Sequence, residues 1–251
     1  MTVLEVAVAT PQEARRAEEG GADRLLVRQG PDDRSPTPDT VAAIRQAVTL
    51  EMRVVLRLRD GYGTDGGEMT RLSGLAWSYL EAGADGMCFG FLTAATALDE
   101  DAIAALAGDA TWPWTLSRAI DATLDPEDSW SRITALPRCD SVLSAGSARS
   151  LDHGLDALLE RARRLRGEEG SNGLGSGAVA AHSPSSGPLV IAAGGLRPEH
   201  VPWLVRGGIR AFHIGDTDEW AAQPTGEKRL TVERVTSWRR LIDGEVAAAQ
   251  G

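Results

Sequence analysis

Cysteine is almost missing from this 251-residue chain: Cys88 and Cys139 are the only two, and they form no close pair. That scarcity disfavours a disulfide scaffold and a thiolate zinc site, and it suits a reducing cytoplasm. Long apolar runs are missing too; none approaches the roughly 18 to 20 residues of a membrane span, so no membrane partner is expected. Basic charge is in deficit, with 26 Lys and Arg against 36 Asp and Glu and a formal net charge of −10. Such a balance argues against nucleic acid or an anionic membrane as partner. The first residues, MTVLEVAVAT, lack the basic start of a secretory signal and read as a strand. No nucleophile elbow occurs, so Ser117 and Ser144 would need a neighbouring base to act as nucleophiles.

What is present is ordinary in bulk and ordered in pattern. Apolar residues make up 42% and charged residues 25%, the balance of a globular protein. Short apolar runs predict strands at 3–8, 23–27, 53–59, 85–91, 113–117, 140–145, 188–193 and 209–214. Amphipathic stretches predict helices at about 11–20, 38–49, 69–82, 100–108, 126–136, 149–166, 198–207 and 231–249. Thr10, Thr37, Asp125 and Arg197 each precede a proline at a predicted helix start, where the missing N–H costs nothing. Gly-Ala-Asp recurs at 21–23 and 83–85, each time between a helix and a strand. Glycine there ends a helix in the left-handed conformation. Strands alternating with helices imply a parallel sheet, and eight βα units in this length predict one α/β domain over 1–251, a (β/α)8 TIM barrel. A doubly wound open sheet is the rival arrangement.

Two stretches break the rhythm. Residues 167–187 are rich in Gly and Ser and have no apolar period, which predicts a flexible insertion on the helix-to-strand side. Residues 215–229 follow the last strand, on the functional side of a barrel, where they would contribute to a lid. His182, His153 and His200 have no partner at ligand spacing and read as solvated; the two cysteines read as structural thiols. Trp77, Trp203 and Trp238 lie within helix patterns and read as packing.

Chemistry concentrates where charges interrupt strands. In VVLRLRDGYGTDGGEM (54–69), Arg57 and Arg59 alternate with Leu56 and Leu58. Side chains alternate along a strand and the helix-facing side must be apolar, so both arginines are expected to point inward. The same parity turns Glu5 and His213 inward. Arg57, Arg59, Arg118 and His213 should therefore meet Glu5, Glu68 and Asp121 at one end of the barrel. Such a cluster is either a neutralised ion-pair plug or a site, because buried charges are costly unless paired. As a site it holds a small anionic ligand in arginine forks and works on it with a carboxylate or histidine. Glycine turns at Gly194-Gly195 and Gly215, after the last two strands, offer backbone N–H groups to a phosphate.

In linear order these residues resemble the CutC family, TIM-barrel proteins labelled copper-homeostasis proteins, over roughly residues 3 to 217. LEVAVAT followed by EGGADRLLV is similar to the family's opening strand and its Gly-Ala-Asp-Arg turn. RLRDG (57–61) resembles its Arg-Pro-Arg-Gly-Gly, with Glu68 where the next loop carries an acid. FGFL (89–92), SRAID (117–121), VLSAG, AAGGL and the histidine of AFHIG continue the series. The chain departs from the family at Leu26, where a Glu is usual, and at Arg28, where a Cys often follows. It also departs at Thr37-Pro38, at Ser117 in place of a histidine, and at Ala193 in place of a glycine.

Two functions follow as expectations. The resemblance implies copper homeostasis, copper ion binding, and a homodimer or larger homo-oligomer. The residues argue otherwise, since cuprous copper favours Cys and Met and cupric copper favours histidine, whereas the retained mouth has one histidine and three arginines. They fit a lyase, isomerase or hydrolase acting on a small acidic or phosphorylated metabolite. Glu5, Asp121 or His213 would then move the proton. Arg57, Arg59, Glu68, Arg118, Gly194, Gly195 and Gly215 would form the binding surface.

Overall fold

The computed structural model describes residues 2–30, 32–167, 187–215 and 230–250. Strands β1 (Val3–Val8), β2 (Arg24–Val27), β3 (Glu51–Val55), β4 (Gly86–Phe89), β5 (Trp114–Leu116), β6 (Cys139–Ser144), β7 (Leu189–Ala192) and β8 (Ala211–Ile214) pair in chain order and close on themselves. All neighbours are parallel, and the seam sets Glu5 of β1 opposite His213 of β8 on one side and Arg24 of β2 on the other. The helices are α1 (Pro11–Glu19), α2 (Pro38–Ala47), α3 (Gly66–Glu81), α4 (Glu100–Ala107), α5 (Pro126–Arg132), α6 (Leu151–Leu165), α7 (Val201–Arg206) and α8 (Val232–Ala248). This is a single (β/α)8 barrel, as the alternation of apolar periods implied. No helix among the described residues is long and apolar enough to cross a membrane.

Local chemistry explains the boundaries. Thr10, Thr37 and Asp125 accept the N–H of Glu13, Thr40 and Asp128 at 3.2, 3.2 and 3.0 Å, caps worth about 1 kcal/mol each. Arg197 starts its helix differently. Its own N–H donates to His200 Nδ1 at 3.1 Å, and a 3-10 turn over Pro198–His200 precedes α7. Gly21 and Gly83 take φ values of 92° and 96°, which lets the chain turn sharply from helix into strand. The equivalent junction before β6 uses Arg138 at φ 58°, a strain of about 1 kcal/mol.

Strand β3 ends earlier than the apolar run at 53–59 predicts. Arg57 N–H donates to Ser35 Oγ at 2.8 Å, and its carbonyl accepts from Ser35 N at 2.9 Å. The loop before α2 has replaced the neighbouring strand as the hydrogen-bonding partner, so Arg57 and Arg59 lie beyond the sheet. Tryptophan also departs from expectation. Trp238 is buried, but Trp77 and Trp203 are 69% and 57% exposed. On α3 the buried positions are Glu68, Leu72, Ala76 and Tyr79, and Trp77 sits one residue around from that face. The insertion expected at 167–187 and the lid segment expected at 215–229 lie almost wholly outside the described residues.

The core has two parts. Outward strand residues such as Leu4, Leu25, Val54, Met87 and Phe212 pack with the helices in the main apolar cluster. Inside the barrel, Leu26, Val55, Cys88, Leu143, Ile191, Ala193 and Ala211 form a separate apolar ring. Two residues earlier on their strands come Arg24, Arg53 and Ser141. Beneath the ring the barrel interior is therefore polar on β2, β3 and β6, while Val3 and Leu189 pack against the ring from β1 and β7.

Candidate functional site

Above the ring lies a cavity of about 500 Å³ at the C-terminal ends of the strands. Its floor is Ala7, Leu26, Val55, Cys88, Leu143 and Ala193, with the imidazole of His213 among them. Among the described residues its wall carries five arginines, Arg28, Arg57, Arg118, Arg149 and Arg197, against two aspartates, Asp33 and Asp152. In a chain of net charge −10, this is a local reversal of sign.

Each guanidinium is held differently. Arg57 Nε donates to the carbonyls of Arg59 and Gly61 at 3.2 and 3.1 Å, and Nη1 to that of Asp32 at 3.1 Å. Its plane lies over the Tyr62 ring, 5.2 Å from the centroid, a cation–π contact. Among the described residues its acceptors are thus neutral carbonyls, which orient the charge without cancelling it. Tyr62 also faces the cavity. Burial pushes its phenol above the ordinary value despite the opposing pull of Arg118 and Arg57, so it stays a hydrogen-bond donor. Arg28 pairs with Asp33 at 3.1 Å.

Arg118 leaves β5 at the start of a 3-10 turn capped by Ser117. Its Nε donates to Asp121 Oδ2 at 2.9 Å, and Nη2 to the Ser147 carbonyl at 3.1 Å. Asp121 does not line the cavity. Its carboxylate is buried, accepting also from Ser144 Oγ at 2.5 Å and Ala145 N at 2.8 Å. It holds Arg118 rather than touching a ligand. Gly194, Gly195 and Gly215 all line the cavity, and the Gly194 carbonyl accepts from Leu151 N at 2.9 Å, tying this turn to the start of α6.

The floor holds a histidine–carboxylate pair. His213 Nδ1 lies 2.8 Å from Glu5 Oε1, with the two side chains 15% and 0% exposed. Arg24 Nε donates to the other carboxylate oxygen at 2.6 Å. Burial pushes the Glu5 carboxyl upward, but the Arg24 charge and the His213 hydrogen bond outweigh it and bring it to about 2. Glu5 is thus a carboxylate and accepts only, so His213 Nδ1 is the donor between them, and the neutral form of the ring has its lone pair on Nε2. Glu5, expected at the mouth, lies sealed beneath His213 and acts only through it.

Two further expectations are corrected. Arg59 and Glu68 do not line this cavity. Arg59 Nε lies 2.5 Å from Glu68 Oε2 and its Nη2 pairs with Asp65, which caps α3; Arg59 borders a second, shallower depression. The early end of β3 sends it outward. His200 is buried rather than solvated, with Nε2 at 3.0 Å from Asp152 Oδ1, and Arg197 also pairs with Asp152. His153 lines the cavity, its Nδ1 3.0 Å from Ser150 Oγ. Sequence reasoning missed Arg24, Arg28, Tyr62, Arg149 and Arg197. Strand parity was a usable signal for Arg24 and Arg28, which share a face with Leu26; the others stand on loops.

Copper fits these residues poorly. Among the described residues no three His, Cys, Asp or Glu side chains gather as a metal set. The soft donor at the cavity floor, Cys88, is held as a thiol: burial first, then the Glu5 charge, push it well above the ordinary range. The nearby histidine has Nδ1 engaged by Glu5, and the wall is cationic.

The family model described as the CutC family matches residues 2–169. A CutC family protein from Klebsiella pneumoniae (strain 342) is 26% identical over 219 residues, which cover 85% of this chain and 79% of that one. A CutC family protein from Xylella fastidiosa is 30% identical over 159 residues, 62% of this chain and 59% of that one. Among solved structures, CutC of Streptococcus agalactiae, which bears a copper-homeostasis name, superposes with a TM-score of 0.71 at 16% identity, covering 86% of this chain and 98% of that one. Thiamine phosphate pyrophosphorylase of Pyrococcus furiosus gives 0.58 at 15% identity, covering 98% and 96%. At such identities both superpositions speak for the fold alone. The family model spans more than half of the chain, through β1 to β6 and the Arg57 and Arg118 segments, and on that match the chain belongs to the CutC family.

Proposed function

We propose that this CutC family protein is an enzyme, a lyase, isomerase or hydrolase, that binds a small carboxylated or phosphorylated metabolite and moves a proton with His213. The observation that carries the proposal is the reversal of charge in the cavity, five arginines against two aspartates over a histidine floor, in a chain of net charge −10. Arg57 and Arg118 hold the anionic group with charge-assisted hydrogen bonds, and Tyr62 donates a further one. His213 Nε2 takes a proton from the bound molecule, the resulting imidazolium is stabilised by Glu5, and the proton is returned to the product. General base catalysis of this kind contributes about 10²- to 10⁴-fold to a rate. Gly194, Gly195 and Gly215 add a rim that suits a phosphate.

Two free thiols support a reducing, cytoplasmic setting, and the family resemblance supports a homodimer or larger assembly. Copper homeostasis stands on the name borne by the streptococcal relative; the donor set at the cavity speaks against a resident copper ion. The experiment is a thermal-shift screen with inorganic phosphate, sulfate, dicarboxylates and sugar phosphates at low and physiological salt, followed by calorimetry on the best ligand. Stabilisation by an anion that disappears in Arg57→Met and Arg118→Met variants is expected. Equal response of both variants and the parent to every anion would sink the proposal.

A further inference from the structure

Arg24 is a buried cation beneath the cavity that touches Glu5 directly, and proton transfer by His213 does not itself use it. It leaves β2 pointing into the barrel, 5% exposed, and stands in register with Glu5. The two oxygens of Glu5 are divided between two partners: Arg24 Nε on Oε2 at 2.6 Å and His213 Nδ1 on Oε1 at 2.8 Å. Arg24 Nη1 is 3.9 Å from Glu51 Oε1, and Arg53 Nη2 lies 2.6 Å from Glu51 and 2.7 Å from Asp140. Charges therefore alternate from the cavity floor to the opposite rim of the barrel. Glu51 and Asp140 are 44% and 43% exposed, so water screens them. Glu5 has no such screening, and Arg24 is the cation that touches it.

The groups that face the His213–Glu5 pair can be named strand by strand. They are Arg24 from β2, Arg53 from β3 and the thiol of Cys88 from β4. Thr115 of β5 and Ser141 of β6 are engaged with each other at 2.8 Å; β7 presents Ile191, and Ala193 follows just past its end. On the cavity side, Arg28, Asp33, Arg57 and Arg118 line the same space as His213, with Arg149, Asp152 and Arg197 on its wall.

We propose that Arg24 is a positioning residue: seated on Glu5 Oε2, it fixes that side chain as a carboxylate, which in turn keeps the His213 proton on Nδ1 and the Nε2 lone pair on the cavity floor. The proposal rests on the assignment of His213 as the proton-transfer group. The physical reason is charge balance in a sealed space. A buried carboxylate needs one positive partner. With Arg24 present, that partner is permanent and His213 is free to be neutral. Without it, the compensating proton settles on the pair itself. Either His213 becomes imidazolium in the resting protein, or Glu5 becomes a neutral acid and His213 turns to the Nε2–H tautomer. Both outcomes remove the lone pair that a base requires.

The test is an imidazole NMR titration of the full chain, in which the four histidines give few signals and His213→Gln identifies the one of interest. Wild type, Arg24→Gln, Glu5→Gln and the double variant are compared. In Arg24→Gln the His213 titration is expected to move up by about one pH unit, a tenfold tighter hold on the proton, or the nitrogen shifts report a change to the Nε2–H tautomer. In the Glu5→Gln background the same substitution is expected to leave His213 nearly unmoved. Should Arg24→Gln fail to fold while the double variant folds, the dependence of the Glu5 charge on Arg24 is supported. A folded Arg24→Gln variant with an unmoved His213 signal overturns the proposal. So does failure of the Arg24 change to fold in both backgrounds, which marks a purely structural arginine. None of these readouts needs a ligand, so an absence of anion binding would defeat the proposed function and leave this result standing.

Discussion

Replacing Gly194 by alanine tests the site without touching any of its charges. A Cβ at this position would lie 2.4 Å from both Cζ and Nη1 of Arg118, and the backbone sits at φ 77°. The two penalties separate. A left-handed alanine costs about 1 to 2 kcal/mol, which for a chain of this size lowers Tm by about 2 to 8 °C. The clash falls on the end of a side chain held by Asp121 at 2.9 Å, so the guanidinium gives way while the fold survives. Losing one charge-assisted hydrogen bond to a bound anion costs about 1.5 to 3 kcal/mol, roughly a 10- to 150-fold weaker Kd. Calorimetry with the best anion from the screen, beside a thermal melt, reads both effects. Adding Arg118→Met to Gly194→Ala should weaken binding little further, because the first change has already displaced the group. Fully additive losses, or a Gly194→Ala variant that melts early yet binds as the parent does, would refute the assignment of Arg118 as a ligand arm pressed against this glycine.

Other expectations are simpler. Arg57→Met should weaken anion binding about tenfold or more with Tm nearly unchanged, since its acceptors are carbonyls at the surface of a loop; a large Tm loss with unchanged affinity would mark it as structural. Arg59→Met, by contrast, should leave anion affinity as it was, measured in the same titration. Glu5 has a folded-state value near 2 against an ordinary 4.5, so its contribution to stability is present above about pH 4.5 and is lost as pH falls towards 2. Linkage makes this about 3 kcal/mol in full, of which roughly 2 kcal/mol is lost between pH 6 and pH 3; denaturant melts at those two values should show that loss in wild type and lack it in Glu5→Gln. Cys88 should react slowly with iodoacetamide at neutral pH, because burial keeps it a thiol; rapid modification would contradict that. After dialysis against a chelator, metal analysis should find well under one copper per chain, unchanged by His213→Ala.

Much of the frame was legible in the sequence, for identifiable reasons. Helix starts were marked by residues whose side chains do cap, Thr10, Thr37 and Asp125. Parity placed Glu5 and His213 inside the barrel, since period-2 alternation needs no knowledge of the partner strand. Parity failed at Arg59 because it holds only while the ladder lasts, and Ser35, a residue from a loop, ends it. Glu68 went with it, drawn to the same guanidinium. His200 looked solvated because its burial depends on Pro198 folding the chain back onto Asp152, a contact between residues 48 apart. Arg149 and Arg197 reach the cavity from loops, where no periodicity exists to read. Arg24 was hidden in plain view: it follows a turn motif, and a cation beside a turn looks solvated until the sheet closes over it.

That closure has a consequence for how the protein is made. Glu5 and His213 stand 208 positions apart and meet at the seam where the first strand receives the last. A growing chain carries the carboxylate from its earliest residues but lacks the imidazole until β8 has been synthesised, and contacts of such long range form slowly. A seven-strand intermediate would expose β1 and β7 as unpaired edges with Glu5 beside water. The His213–Glu5 pair therefore comes into being only when the ring shuts, and the His213 ring resonance doubles as a clock for the last step of folding.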